Sequence, residues 1–268
     1  MPGGLICPHC RRYTSADDSH CNHCGKLTGG AVFSRLVRSV GGVEIPGTKF
    51  LLGLCVAMYG VEMVLSTKLG QARLFGPSPD ALVMLGANMN YEQFWRVASA
   101  VLLHGNLLHI GMNGLGLIAL GRTIEERSGA ARMITAFFLT GIAGFGLSLW
   151  LHGGNTFSVG ASGGLFGLVG ADLGHVIAKR IAGARALVTR SIIFAVLWSL
   201  LPMIDFWAHM GGLATGLAFG WLLANERRAS ARDALFAATA VVLTSLSLAA
   251  VVLSVSNTPQ TSIEQGED

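Results

Sequence analysis

Residues 206–225 read FWAHMGGLATGLAFGWLLAN. The run carries no Asp, Glu, Lys or Arg, and about 20 mostly apolar residues suffice to cross a bilayer as a helix. His209, Gly212, Gly216 and Gly220 follow one another at steps of three and four, so they share one helical face. That face is a smooth groove with an imidazole at one end. Between helices in lipid no hydrophobic force drives association, and small residues that let backbones approach closely do that work instead. A second run, 158–178, carries Gly163, Gly167, Gly170 and Gly174 at the same kind of spacing. Two Gly-lined spans that pack face to face define the fold: an all-α polytopic membrane protein.

Composition agrees. Charged residues make up 13% of the 268-residue chain, against roughly 25% for a soluble domain. The 36 glycines then read as helix-packing positions. Apolar runs predict seven spans, at 50–66, 97–120, 132–151, 158–178, 191–204, 206–225 and 234–255. Pro202 and Asp205 separate the short fifth run from the sixth. The stretch 67–96 holds Pro77, Pro79 and Phe94-Trp95-Arg96. It reads either as an interfacial anchor or as a half-embedded loop that shapes access to a site.

Basic residues sort strongly by side. Only Lys68, Arg73 and Arg96 fall on one side of the predicted topology, leaving sixteen of the nineteen Lys and Arg on the other. The positive-inside rule places the N-terminus in the cytoplasm and, with seven spans, the C-terminus outside. Basic residues between apolar runs, rather than gathered on a soluble face, argue against a nucleic-acid partner. The first 45 or so residues show no signal peptide, so they are expected to be retained.

Polar residues inside spans are costly and each needs a reason. They are His104, Asn106, His109 and Asn113 in the second span, Ser158, Ser162, Asp172 and His175 in the fourth, and His209 in the sixth. Ser162 sits in Gly160-Ala161-Ser162-Gly163-Gly164, which leaves its hydroxyl unshielded. A lone Ser in such a span is ordinarily packing material bonded back to a carbonyl. Paired with His209 at similar depth it becomes a nucleophile with a base. His109 and Asn113, four apart, project from one face and can aim two donors at a developing oxyanion. Asp172 and His175 read as a polar pair near the cytoplasmic end, Asp205 as a solvated turn residue, and Cys55 as a small buried hydrophobe.

Several of these patterns together resemble the rhomboid family: His109-xxx-Asn113, Gly-Ala-Ser-Gly at 160–163, Ala-His-xx-Gly-xxx-Gly at 208–216, Trp95-Arg96, and Gly121-xxx-Glu125-xxx-Gly129. They occur in family order across residues 48–225 or so. The resemblance implies a six-span core, here at 49–225, with a seventh helix and acidic tail at 226–268. It implies an intramembrane serine endopeptidase with Ser162 as nucleophile, His209 as base, and His109, Asn113 and the Ser162 N–H as oxyanion hole. No cofactor is implied for catalysis. Trp95-Arg96 and Glu125 take structural roles. Where many members carry a Tyr that stacks on the catalytic His, this chain has Phe166. The implied partners are membrane-protein substrates, single-span or polytopic, in a lipid bilayer. The expected location is the bacterial inner membrane.

Ahead of the core, residues 1–30 form a Cys-rich module joined by a linker at 31–48. Cys7-Pro8-His9-Cys10 and Cys21-Asn22-His23-Cys24 make two CxxC knuckles, the spacing of a zinc-ribbon-like site with four thiolate ligands. Structural zinc is the leading reading. A redox or iron–sulfur role is the alternative, and disulfides are disfavoured in a reducing cytoplasm. The roles expected of the module are docking a cytoplasmic partner, presenting substrate or sensing metal. Two other functions compete with proteolysis. A catalytically inert relative that binds membrane clients is expected to lack Ser162 or His209. A seven-span transporter or receptor is expected to line a path across the whole bilayer with ionisable groups, whereas here the polar cluster lies in the outer half.

Overall fold

A computed structural model describes residues 4–6, 10, 12–15, 21–25, 46–181, 189, 193, 204–225 and 229–258. Most of the expected fifth span, much of the linker and Cys7 lie outside the described residues. Near the N-terminus, β1 (Gly4–Ile6) pairs antiparallel with β2 (Tyr13–Ser15). The helical part begins with α1 (Gly47–Lys68). After it come the short α2 (Pro79–Leu85) and the strand β3 (Asn88–Asn90), then one turn of helix, α3 (Arg96–Ser99). The long helices α4 (Leu107–Ser128) and α5 (Ala130–Leu151) follow. Strand β4 (Asn155–Phe157), antiparallel to β3, leads into α6 (Ser162–Ala178). Helices α7 (Phe206–Ala224) and α8 (Ala229–Ser256) complete the described chain.

Among the described residues four helical segments, Gly47–Lys68, Leu107–Ser128, Ala130–Leu151 and Arg232–Ser256, are long and apolar enough to cross a membrane. The protein is therefore an integral membrane protein of all-α type. Helix α6 is shorter, at 17 residues. It and α7 meet mostly other helices, so glycine replaces the larger apolar side chains a lipid-facing span carries. Helix α5 is the most enclosed, and Met133, Ile134, Phe137, Phe138 and Phe145 on it are almost wholly buried.

The glycine faces meet as backbone surfaces. A Cβ at Gly212 would strike the Gly163 carbonyl, one at Gly216 the Gly167 carbonyl, and one at Gly220 the Ala171 carbonyl. From the other side, a Cβ at Gly170 would lie 2.7 Å from Leu217 N, and one at Gly174 2.7 Å from Trp221 N. Helices α6 and α7 thus touch backbone to backbone along most of their length. Gly164 faces the Phe137 carbonyl of α5 at 2.7 Å from its would-be Cβ, so α5 closes a three-helix centre.

The second span departs from expectation. Hydropathy predicts a helix over 97–120, but the chain from Arg96 to Leu102 makes only α3 and a 3-10 turn, and α4 starts at Leu107 after its cap Asn106. Ala100, Val101, Leu102 and Leu103 have no exposure at all. They are apolar because they fill the protein interior, a need that hydropathy cannot tell apart from lipid contact. Helix α4 in turn runs on past 120 to Ser128, with a π turn at Leu117–Gly121.

Charged contacts tie one end of the bundle. Glu125 accepts from the Gly47 N–H at 2.5 Å, the Thr48 N–H at 2.9 Å and the Thr48 hydroxyl at 2.6 Å. It satisfies donors that the first turn of α1 leaves without helical partners. Asp172 is ion-paired with Arg127 across α4 and α6, a partner not expected for it beforehand. Arg132 bonds Asp233 at 2.5 Å and lies over the Phe236 ring, which seats α8 on α5. At the far end of α8, Arg96 donates to Thr258 Oγ1 at 3.1 Å and to the Val83 carbonyl at 2.9 Å. The 67–96 segment is thereby tied to the end of α8 through Arg96.

Candidate active site

Helix α6 does not begin where the apolar run does. Gly160 has φ +131, a conformation L side chains rarely adopt, and the chain turns there so that Ser162 becomes the first residue of the helix. The approach is pinned by two backbone bonds, Ser158 N–H to Ala87 O at 3.1 Å and Gly160 N–H to Ala100 O at 2.9 Å. The interior segment that hydropathy assigns to a span thus holds, through the Ala100 carbonyl, the loop that leads to Ser162. As the first helical residue, Ser162 presents an N–H with no intrahelical acceptor, at the positive end of the helix dipole.

His209 reaches Ser162 from α7. Its Nε2 lies 2.8 Å from Ser162 Oγ, and only 3% of the residue is exposed. The Phe166 ring stacks on the imidazole with centroids 4.0 Å apart and planes 15° apart. Such a face-to-face contact helps to fix the plane of the ring. The dyad stands where the Gly163–Gly212 backbone contact brings α6 and α7 together.

The other two predicted residues come from α4. Asn106 caps that helix by accepting the His109 N–H at 2.8 Å, which sets the first turn. His109 and Asn113 then both face Gly160: a Cβ there would lie 2.7 Å from His109 Nε2 and 3.6 Å from Asn113 Nδ2. Glycine leaves this small space open, two residues before Ser162. Asn113 is 6% exposed, and its amide nitrogen is buried with no hydrogen-bond partner among the described residues. Buried donors are ordinarily satisfied, so this nitrogen, facing Gly160, is a donor with hydrogen-bonding capacity to spare.

Behind these residues stand two that sequence reasoning passes over or misplaces. Glu62, within α1 and fully buried, accepts the His104 N–H at 3.1 and 3.3 Å. The His104 ring meets His109 edge to face, 5.3 Å between centroids, so His104 braces His109 directly as well as the neighbouring loop. A single acid inside the run 50–66 is the available signal for Glu62. Asp205, expected to be solvated, is half-buried and caps α7: Oδ1 accepts the Ala208 N–H at 2.9 Å, and Oδ2 accepts the Ser148 hydroxyl at 2.6 Å.

The Cys module places three of its four predicted ligands together. The sulfurs of Cys10, Cys21 and Cys24 lie within 4.8 Å of one another, with Cys10 and Cys21 3.6 Å apart. A tetrahedral site with Zn–S bonds of about 2.3 Å has S–S edges of about 3.8 Å, so the cluster fits zinc in size and donor type. Cys7 lies outside the described residues.

A mostly helical fold with helices apolar enough to span a membrane, joined at a Ser162–His209 contact, defines a class of intramembrane proteins. The rhomboid domain, as a family, matches residues 91–226, half of the chain, and the chain belongs to the rhomboid family. Among curated proteins it is similar to RHOMBOID-like protein 2 of Arabidopsis thaliana, 37% identical over 161 residues that cover 56% of this chain and 50% of that protein. It is also similar to RHOMBOID-like protein 6, mitochondrial, of Arabidopsis thaliana, 34% identical over 159 residues, 55% of this chain and 51% of that protein. Rhomboid-like protease 2 of Toxoplasma gondii is 31% identical over 173 residues, 60% of this chain and 61% of that protein. The chain spans about half the length of the curated relatives it matches first.

Proposed function

We propose that this chain is an intramembrane serine endopeptidase that hydrolyses peptide bonds in or near transmembrane segments of other membrane proteins. The observation that carries the reading is the 2.8 Å contact between Ser162 Oγ and His209 Nε2 inside a membrane bundle. A similar protein of Toxoplasma gondii bears the name Rhomboid-like protease, which supports it.

In the proposed reaction His209, neutral at rest, accepts the Ser162 hydroxyl proton at Nε2 as Oγ attacks the carbonyl carbon of the scissile bond. The carbonyl electrons move onto oxygen. Three donors surround that oxyanion: the Ser162 N–H at the helix start, Asn113 Nδ2 and His109 Nε2. His209 then gives its proton to the departing amine. Water, deprotonated by the same imidazole, then attacks the acyl carbon; the bond to Ser162 Oγ breaks, Oγ takes the proton back from His209, and the acid leaves. No metal or cofactor takes part. Phe166 keeps the imidazole in plane, and Glu62 and His104 support His109.

The topology proposed from charge puts the N-terminus in the cytoplasm and the C-terminus outside, in a bacterial inner membrane. Glu125, Arg127 and Arg132 then lie towards the inner face, and the Ser162–His209 pair lies in the outer half. The domain plan follows: a zinc-ribbon-like module at 1–30 with Cys7, Cys10, Cys21 and Cys24 as ligands, a linker at 31–48, the protease core at 49–225, and a seventh helix with acidic tail at 226–268. Zinc bound there ties the two knuckles together and supplies no hydrolytic chemistry. The convergence of three thiol sulfurs supports that part.

A serine-directed fluorophosphonate tests the reading. Peptide mapping is expected to find the label on Ser162 in the wild-type protein, and none in a folded His209→Ala variant. Label on other serines, or labelling unchanged without His209, contradicts the assignment.

A further inference from the structure

Attack by Ser162 creates two charges at once: an anion on the substrate oxygen and a cation on His209. The helix termini treat them unequally. Ser162 is the first residue of α6, and His209 lies in the first turn of α7, four residues after the cap Asp205. Two helix N-termini, each carrying partial positive charge, therefore converge on the dyad. They favour the oxyanion and oppose the imidazolium. Phe166, stacked on the ring, brings no charge. The neighbouring ionisable groups His104 and His109 bring no negative charge either. Glu62 lies beyond His104, its oxygens turned to that residue's backbone N–H.

One carboxylate is placed to correct this. Asp205 caps α7 one turn before His209, and its own carbonyl accepts the His209 N–H at 3.2 Å. Residues four apart at a helix start lie on one face. Both carboxylate oxygens are held, Oδ1 by the Ala208 N–H and Oδ2 by the hydroxyl of Ser148, which has no exposure. Ser148 is in turn flanked by His152, whose Nδ1 lies 2.8 Å from the Ser148 carbonyl and 3.3 Å from its hydroxyl. A cap needs only a side-chain acceptor, and Asn serves as well as Asp. An acid adds a fixed negative charge one helical turn before the group that becomes positive.

We propose that Asp205 is a positioning residue for the proteolytic dyad: anchored by Ser148 and the Ala208 N–H, its carboxylate offsets the positive charge that His209 acquires when Ser162 attacks. The inference rests on the protease reading. Asp205 exchanges no proton. The Ser162 proton goes to His209 Nε2, the Oγ–carbon bond forms, and the carbonyl electrons go to oxygen. The carboxylate acts across one helical turn, as a through-space counterpart of a third triad member.

The experiment compares wild type with Asp205→Asn, Asp205→Ala and Asp205→Glu in the full chain in detergent. It measures kcat and KM separately on a single-span substrate, the rate of fluorophosphonate labelling, and the melting temperature. Asp205→Asn keeps the cap and removes the charge. It is expected to lower kcat and labelling roughly three- to thirtyfold, with KM and melting temperature unchanged. Asp205→Ala is expected to lose the same rate and to melt earlier. Asp205→Glu, which keeps the charge, is expected to recover part of kcat. Wild-type kcat and labelling in Asp205→Asn, with early melting in Asp205→Ala, reduces Asp205 to a helix cap and overturns the proposal. A folded wild-type chain that neither cleaves nor labels at Ser162 overturns the protease reading beneath it.

Discussion

Asn113 carries a buried amide nitrogen with no partner among the described residues, beside a glycine that leaves room for an incoming atom. If that donor serves the oxyanion, its loss acts on turnover and little on folding, because no internal bond is broken. Asn113→Ala and His109→Ala are expected to lower kcat by roughly ten- to a thousandfold, with the Ser162 N–H and the nucleophile still in place. Unchanged kcat in both variants counts against the oxyanion hole as drawn. Ser162, His209, His109 and Asn113 are all legible as spacings of chemical groups within apolar runs. Glu62 is not, because one acid in the first span has no partner within reach in sequence. Its contact, the His104 N–H, is supplied by a distant segment. Asp205 escapes for a related reason. A polar residue after a proline reads as a solvated turn, and only the placement of Ser148 shows it half-buried and bonded.

Helices α6 and α7 approach until glycine carbonyls rest where side chains would stand, and that contact sets the Ser162–His209 distance. Gly216 sits about two turns below His209, against the Gly167 carbonyl. A branched residue there must push the helices apart, and overpacking of this kind costs about 1–3 kcal/mol or more. Gly216→Val is expected to lower the melting temperature in detergent and, by separating the dyad, the activity as well. Lost activity with an unchanged melting profile contradicts a packing role. The glycine periodicity makes this contact readable in advance, since the pattern on each helix names its own buried face. Element boundaries are less readable. The run 97–103 is as apolar as a span yet lies inside the protein, and the left-handed Gly160 starts α6 four residues later than hydropathy does. Both departures lie at the site, where backbone is bent to present Ser162.

The whole molecule is tied at one end by Glu125, Arg127 and Arg132, and carries its candidate chemistry towards the other. The N-terminal Cys module belongs, on the proposed topology, to the cytoplasmic side, across much of a hydrocarbon core about 30 Å thick from the dyad. It is therefore expected to bind one zinc per chain and to be dispensable for hydrolysis. Metal analysis of the full chain is expected to find that zinc, and Cys10→Ser with Cys24→Ser to abolish it. A chain beginning near Gly41 is expected to cleave at the wild-type rate. Zinc well below one per chain contradicts the first half, and a folded but inactive truncation the second. The CxxC spacing that brings Cys10, Cys21 and Cys24 together is plain in the sequence, whereas the ion pair that seats α8 is not. Arg132 and Asp233 lie on different helices and carry no local signal of their pairing.

Proteolysis as proposed turns on Ser162 as the nucleophile. The most direct measurement is cleavage of a single-span substrate by purified protein in detergent, wild type beside Ser162→Ala, with matched folding checked by melting temperature. Wild type is expected to give one defined cleavage product, and Ser162→Ala none. Equal cleavage by both proteins would contradict the proposal.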